Sequence, residues 1–171
     1  MLGRNHFASG VVTGSLVATA THLPPAQAVA FISVTSVCAL LPDFDHPDAM
    51  LPRMFAWPGR AVAAIIGHVF GHRTLTHSFL GMAILAAGLV FIPGLPLYAA
   101  GAVLLGCLTH IGGDMLTVSG VPVWWPHRVV WRLTPRRFAF RTGGHMEQLV
   151  MTPLLAIGAV ACLGLLVAAN G

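Results

Sequence analysis

The chain has 171 residues, of which 56% are hydrophobic and only 8% charged, and its mean hydropathy is +0.81. Soluble domains carry roughly 25% charged residues, so this composition excludes an ordinary water-soluble enzyme and specifies an integral membrane protein. The formal charge of +4 comes from arginine with no lysine; it fits the cytoplasmic rim of membrane segments, and no nucleic-acid recognition motif accompanies it.

The apolar stretches are continuous rather than alternating, which speaks for helices and against a transmembrane barrel. The first, 7–21, follows Arg4; His6, Ser9, Thr13 and Ser15 dilute this region, so it reads as a retained helix rather than a cleaved leader. A turn with Pro24 and Pro25 leads to the second, 26–41. The run 61–70 is too short to span and fits a re-entrant or interfacial helix. Three further segments follow at 78–92, 97–116 and 149–169, with the Pro93, Gly94 and Pro96 turn between the first two. The expected fold is all-α: one domain over 1–171, a polytopic transmembrane helical bundle of about five spans plus the short helix.

Arg53, Arg60, Arg73, Arg128, Arg132, Arg136, Arg137 and Arg141 fall in one set of loops, whereas the two proline turns carry no charge. The positive-inside rule then makes the chain multi-pass in an inner membrane, with the N-terminus cytoplasmic and the C-terminus outside. Cys38, Cys107 and Cys162 lie singly in apolar segments, without a C-x-x-C spacing, and read as packing residues.

Only 5 acidic residues are present, and they keep company with histidine: Asp43, Asp45 and Asp48 with His46, Asp114 with His110, and Glu147 with His145. Carboxylates and imidazoles in an apolar setting are costly unless paired or bound to a metal. Under the sidedness above, His6, Asp43, Asp45, His72, His77, His110, Asp114 and Glu147 all fall at the inner membrane face. His110 and Asp114 are four apart on a helix and share a face, as a metal pair or as a buried hydrogen bond. Gly112 and Gly113 between them admit a second backbone or a substrate.

Asp43 and Asp45 stand between Pro42 and Pro47; in an extended segment they point oppositely, one to a metal and the other to a histidine or to base chemistry. His72 and His77 flank Arg73, which is either a topogenic charge or a clamp for a substrate anion, and Thr74 or Thr76 is the expected helix cap. Trp124, Trp125 and Trp131 read as interfacial anchors. The candidate ligands exceed what a closed four-coordinate site needs. A two-metal hydrolytic centre accommodates them, and mixed nitrogen and oxygen donors suit zinc, with manganese or iron as alternatives.

Three motifs carry a resemblance. Leu40-Leu41-Pro42-Asp43-Phe44-Asp45-His46-Pro47, then Phe70-Gly71-His72-Arg73 with Thr76-His77-Ser78, then His110 with Asp114-Met115-Leu116-Thr117, Gly120-Val121-Pro122 and Trp125-Pro126, stand in the order seen in the YdjM family. The chain resembles these inner-membrane proteins, classed as metal-dependent hydrolases, from about His6 to Glu147. The resemblance implies a membrane-embedded helical fold and a hydrolase. It also implies a functional set of His6, Asp43, Asp45, His46, His72, His77, His110, Asp114 and Glu147. The His110–Asp114 pair is also similar to the metal helix of zinc-dependent phospholipases C.

The expectation is therefore a membrane-bound hydrolase with two divalent ions at the cytoplasmic face. Asp43 or Asp45 is its base and Arg73 stabilises anionic charge. Its partner is a membrane lipid or other amphiphile, cleaved at a phosphoester in the first place and at an amide or acyl ester in the second, and not a nucleic acid. The rival expectation is a non-enzymatic metal-binding membrane protein or transporter.

Overall fold

The computed structural model describes residues 1–170, and these are helical throughout apart from loops and two isolated bridging pairs. Helix α1 (Gly3–Ala20) and helix α2 (Pro25–Cys38) form the first hairpin, with Pro25 at the first position of α2, where its missing N–H costs nothing. The two backbones touch: a Cβ on Gly10 would lie 2.7 Å from Cα of Ser36. Small residues that permit this approach are a common basis of helix association in lipid, where no hydrophobic gain drives it.

After α2 the chain tightens into a 3₁₀ turn over Pro42–Asp45. Two further helices follow, α3 (Met50–Met54) and α4 (Ala56–Phe70), then a second 3₁₀ turn, Leu75–His77. Helix α5 (Phe79–Val90) is capped by Ser78, whose Oγ accepts from Gly81 N at 3.0 Å. The cap is thus Ser78 rather than Thr74 or Thr76. Helix α6 (Leu97–Met115) packs on α1 and α2. It meets α2 at Gly106, where a Cβ would come within 2.5 Å of the Thr35 carbonyl oxygen.

The segment 116–146 is irregular, pinned by the pairs Thr117–Phe140 and Val121–Trp131 and by Phe79 N donating to Val123 O at 2.9 Å. A π-turn over Glu147–Met151 starts helix α7 (Thr152–Asn170), which packs on α1 and otherwise shows an apolar, exposed surface.

Two stretches among the described residues are long and apolar enough to cross a membrane, Pro25–Asp45 and Glu147–Ala168. That corrects the expectation of about five. Helix α5 has only 12 residues, about 18 Å at 1.5 Å per residue, against a hydrocarbon core of about 30 Å. Helix α6 is long enough but ends in His110 and Asp114, and α1 opens on Arg4, Asn5 and His6. The chemistry-bearing residues are what dilute these two helices. Helix α4 replaces the expected 61–70 stretch and starts at Ala56, and α1 begins at Gly3 rather than residue 7. Asp43 and Asp45 lie on a 3₁₀ turn, not on an extended strand.

Candidate metal centre

Four segments meet at one end of the helices: the start of α1, the Pro42–Asp45 turn, the Leu75–His77 turn and the last turns of α6. The α1–α2 and α2–α6 glycine contacts set this meeting, since they bring the Ala39 carbonyl over α6 and His6 beside it. His6 stacks on His110, with ring centroids 3.6 Å apart. Gly113 leaves the space: a Cβ there would lie 3.5 Å from the His6 ring and 2.8 Å from Met1 Cε.

Donor atoms of Asp43, His77, His110 and Asp114 all lie within 4.8 Å of one another, and the last three residues are buried. The tautomers follow from the partners. His110 Nδ1 sits 2.7 Å from the Ala39 carbonyl, which only accepts, so Nδ1 carries the proton. Thr76 Oγ1 donates its single proton to Asp45 Oδ2 at 2.8 Å, so toward His77 Nδ1, 2.9 Å away, it accepts. His77 is therefore also protonated at Nδ1. Both Nε2 atoms then present lone pairs, and they face each other at 3.1 Å. Two nitrogens held about 2.0–2.1 Å from a tetrahedral zinc ion stand about 3.3 Å apart.

The oxygen donors close the group. Asp43 Oδ1 lies 3.5 Å from each Nε2, and Asp114 Oδ2 lies 3.7 Å and 3.8 Å from those of His77 and His110. Burial holds the His77 imidazole below its ordinary value of 6.5, against the pull of Asp43, and keeps it neutral and ligand-ready. Two nitrogens and two oxygens without a thiolate suit zinc or a similar divalent ion. The second nitrogen of each histidine is anchored as in known metal sites, one to a carbonyl and one through a hydroxyl to a carboxylate. The residues fit a metal.

The other expected residues are placed differently. Asp45 is committed: Oδ1 pairs with His72 Nδ1 at 2.7 Å, and Oδ2 accepts from Arg73 N at 2.9 Å and from Thr76 at 2.8 Å. Asp43, Asp45 and His72 nonetheless form a second group close enough to hold an ion, and Asp43 is common to both groups. Asp114 also meets the Met1 amino group, His6 Nε2 at 3.3 Å, and Arg73 Nη2 at 2.8 Å without hydrogen-bond alignment. Arg73 thus spends its guanidinium on Asp114 instead of waiting as a free clamp. Both ring nitrogens of His6 are buried without a hydrogen-bond partner, so it borders the group as an unused donor.

Glu147 is not with the ligands. It is fully buried and accepts from Leu2 N at 2.6 Å, Asn5 Nδ2 at 2.9 Å and Gly143 N at 2.7 Å. It ties the start of α1 to the entrance of α7. His46 is exposed; its Nδ1 accepts from Asp48 N at 3.2 Å, and its ring stands 5.1 Å from that of His72. His22, His68, His127 and His145 are exposed. Ala39 and Asn5, which also hold the site, carry no signal in the sequence beyond size or polarity, whereas Thr76 stands in the Thr76-His77-Ser78 motif but was expected there as a helix cap.

Residues 1–170 match the family described as YdjM inner membrane protein. The chain belongs to the YdjM family. Relatives include the Inner membrane protein YdjM of Escherichia coli and that of Shigella flexneri, each 37% identical over 67% of this chain. The match spans 58% of those relatives' length. The Uncharacterized protein YvsG of Bacillus subtilis is 30% identical over 90% of this chain and 89% of its own. No solved structure matches. Family membership and the apolar helices α2 and α7 together support an inner-membrane location, and the His/Asp group belongs to a YdjM family chain rather than to an isolated motif.

Proposed function

We propose that this YdjM family member is a membrane-bound metal-dependent hydrolase whose centre lies at the cytoplasmic face. The observation that carries the reading is the pair of bare Nε2 atoms on His77 and His110, held between the carboxylates of Asp43 and Asp114. Zinc is the first choice, with manganese or iron as alternatives. A divalent ion bound there supplies Lewis-acid polarisation of the scissile group and lowers the pKa of water. Asp45 orients His72 through Nδ1 and leaves Nε2 free. His72 is half-exposed and lines the cavity beside Asp43, so it takes the proton of the attacking water and returns it to the leaving group. That role passes to His72 because Asp45 is already satisfied by three donors.

A second reading places a second ion on Asp43, Asp45 and His72, with Asp43 shared between the two. Metal stoichiometry separates them: one ion per chain supports the His72 mechanism, and two support a dinuclear centre. The substrate class is a lipid or amphiphile, cleaved first at a phosphoester, because the centre sits at the ends of helices whose outer faces are apolar. A multi-pass arrangement with the N-terminus inside is part of the proposal, with α1 and α6 carried beside α2. Metal analysis of purified protein, followed by lipid phosphoester hydrolysis with and without chelator, tests the reading. Activity that Asp114→Ala abolishes in a folded protein supports it. Metal flux into proteoliposomes without turnover favours a transporter instead.

A further inference from the structure

A cavity of about 610 Å³ opens over the metal group. Asp43 and His72 lie in its wall, and Arg4 from α1 and Arg53 from α3 line it as well. Two other arginines near this end have partners: Arg60 is paired with Asp48 at 2.9 Å and Arg73 with Asp114 at 2.8 Å. Among the described residues neither Arg4 nor Arg53 has an ion-pair partner. Two arginines 49 positions apart in the chain thus line one concavity. Asp48 in the same wall is neutralised by Arg60, and Asp43 belongs to the ligand group. With an ion held at Asp43, Arg4 and Arg53 would be the unpaired charges of this wall, and the volume is that of a small-molecule site, which typically runs about 300–1,000 Å³.

We infer that this cavity binds a phosphate-type oxyanion through Arg4 and Arg53, so that the substrate presents such a group beside the bond being cut. The inference rests on the hydrolase reading and names the substrate class for that same site. Guanidinium forks match phosphate oxygens in pairs and stay charged at any working pH, which a general topogenic charge does not require. Leu2 and Met50 give the cavity an apolar wall, which suits the carbon part of an amphiphile next to its anionic head. A phospholipid head group and a free phosphate compound share this chemistry.

The test is calorimetric titration of the metal-loaded protein in neutral detergent, with inorganic phosphate in one arm and dihexanoyl phosphatidic acid in the other. The variants are Arg4→Gln/Arg53→Gln and, as a control, Arg136→Gln in the exposed part of segment 116–146. The double variant is expected to bind about tenfold or more weakly, with metal content unchanged and the control unaffected. Saturable binding of the lipid with little of phosphate assigns the site to a head group, and equal binding assigns it to free phosphate compounds. No binding by metal-loaded wild type overturns the inference, as does an equal loss in Arg136→Gln. Absence of metal from wild type overturns the hydrolase reading itself, which the metal analysis registers separately from the titration.

Discussion

Nε2 of His77 and Nε2 of His110 stand 3.1 Å apart, although each ring has already committed its Nδ1 proton to another acceptor. Two lone pairs at that distance repel unless a cation lies between them. A proton would satisfy the two nitrogens alone, whereas the carboxylates of Asp43 and Asp114 beside them add the oxygen donors that complete the shell of a divalent ion. Replacing His77 or His110 by Ala is expected to bring metal content to background, whereas His145→Ala, at an exposed position, leaves it unchanged. Elemental analysis of protein purified without added metal reads the difference.

Thr76 fixes which nitrogen of His77 carries the proton by accepting from Nδ1 while donating to Asp45. Thr76→Val removes that acceptor and is expected to weaken metal affinity by about 10–100-fold, the usual effect of losing a partner behind a ligand. Thr76→Ser keeps the hydroxyl and restores it. Competition against a chromogenic chelator measures both, and wild-type affinity in Thr76→Val would remove the hydroxyl from the account.

Glu147 makes the opposite prediction to a ligand. Its carboxylate accepts three N–H donors in a buried setting. Glu147→Ala leaves those donors unpaired and is expected to cost about 3–5 kcal/mol, read as a lower melting temperature in detergent. Metal stoichiometry in the fraction that folds stays at the wild-type value. Loss of metal without loss of stability would return Glu147 to the ligand set.

Gly106 tests how packing reaches the centre. A side chain there meets the Thr35 carbonyl and the Ala39 nitrogen, at 2.5 Å and 2.8 Å from its first carbon. Gly106→Val pushes α6 from α2 and draws the Ala39 carbonyl away from His110 Nδ1. Reduced thermal stability and weakened metal binding are expected together, and Gly88→Val, where nothing lies within 4 Å, is expected to do neither.

The helical class, the membrane setting and the clustering of polar residues were legible because charge is scarce enough for each acidic residue to stand out. Asp43, His77, His110 and Asp114 were all visible as candidates, since each sits in a motif of unusual polarity. Their division of labour was not. Asp45 and Glu147 look like Asp43 and Asp114 on paper, and only the donors around them show that their oxygens are already taken. The count of spans failed for a related reason: the residues that build the site, His110 and Asp114 in α6 and Arg4, Asn5 and His6 in α1, dilute those helices, and α5 has only 12 residues. Segment 116–146 holds few periodic cues, and its bridging pairs depend on contacts between Thr117 and Phe140, far apart in the chain.

The four donors come from three separate stretches: the turn after α2, the turn before α5 and the last turns of α6. No ribosome-bound fragment ending before α6 offers more than Asp43 and His77. Ion capture at this centre would therefore be a late event in biogenesis, and an occupied centre would certify that the hairpins had already found one another.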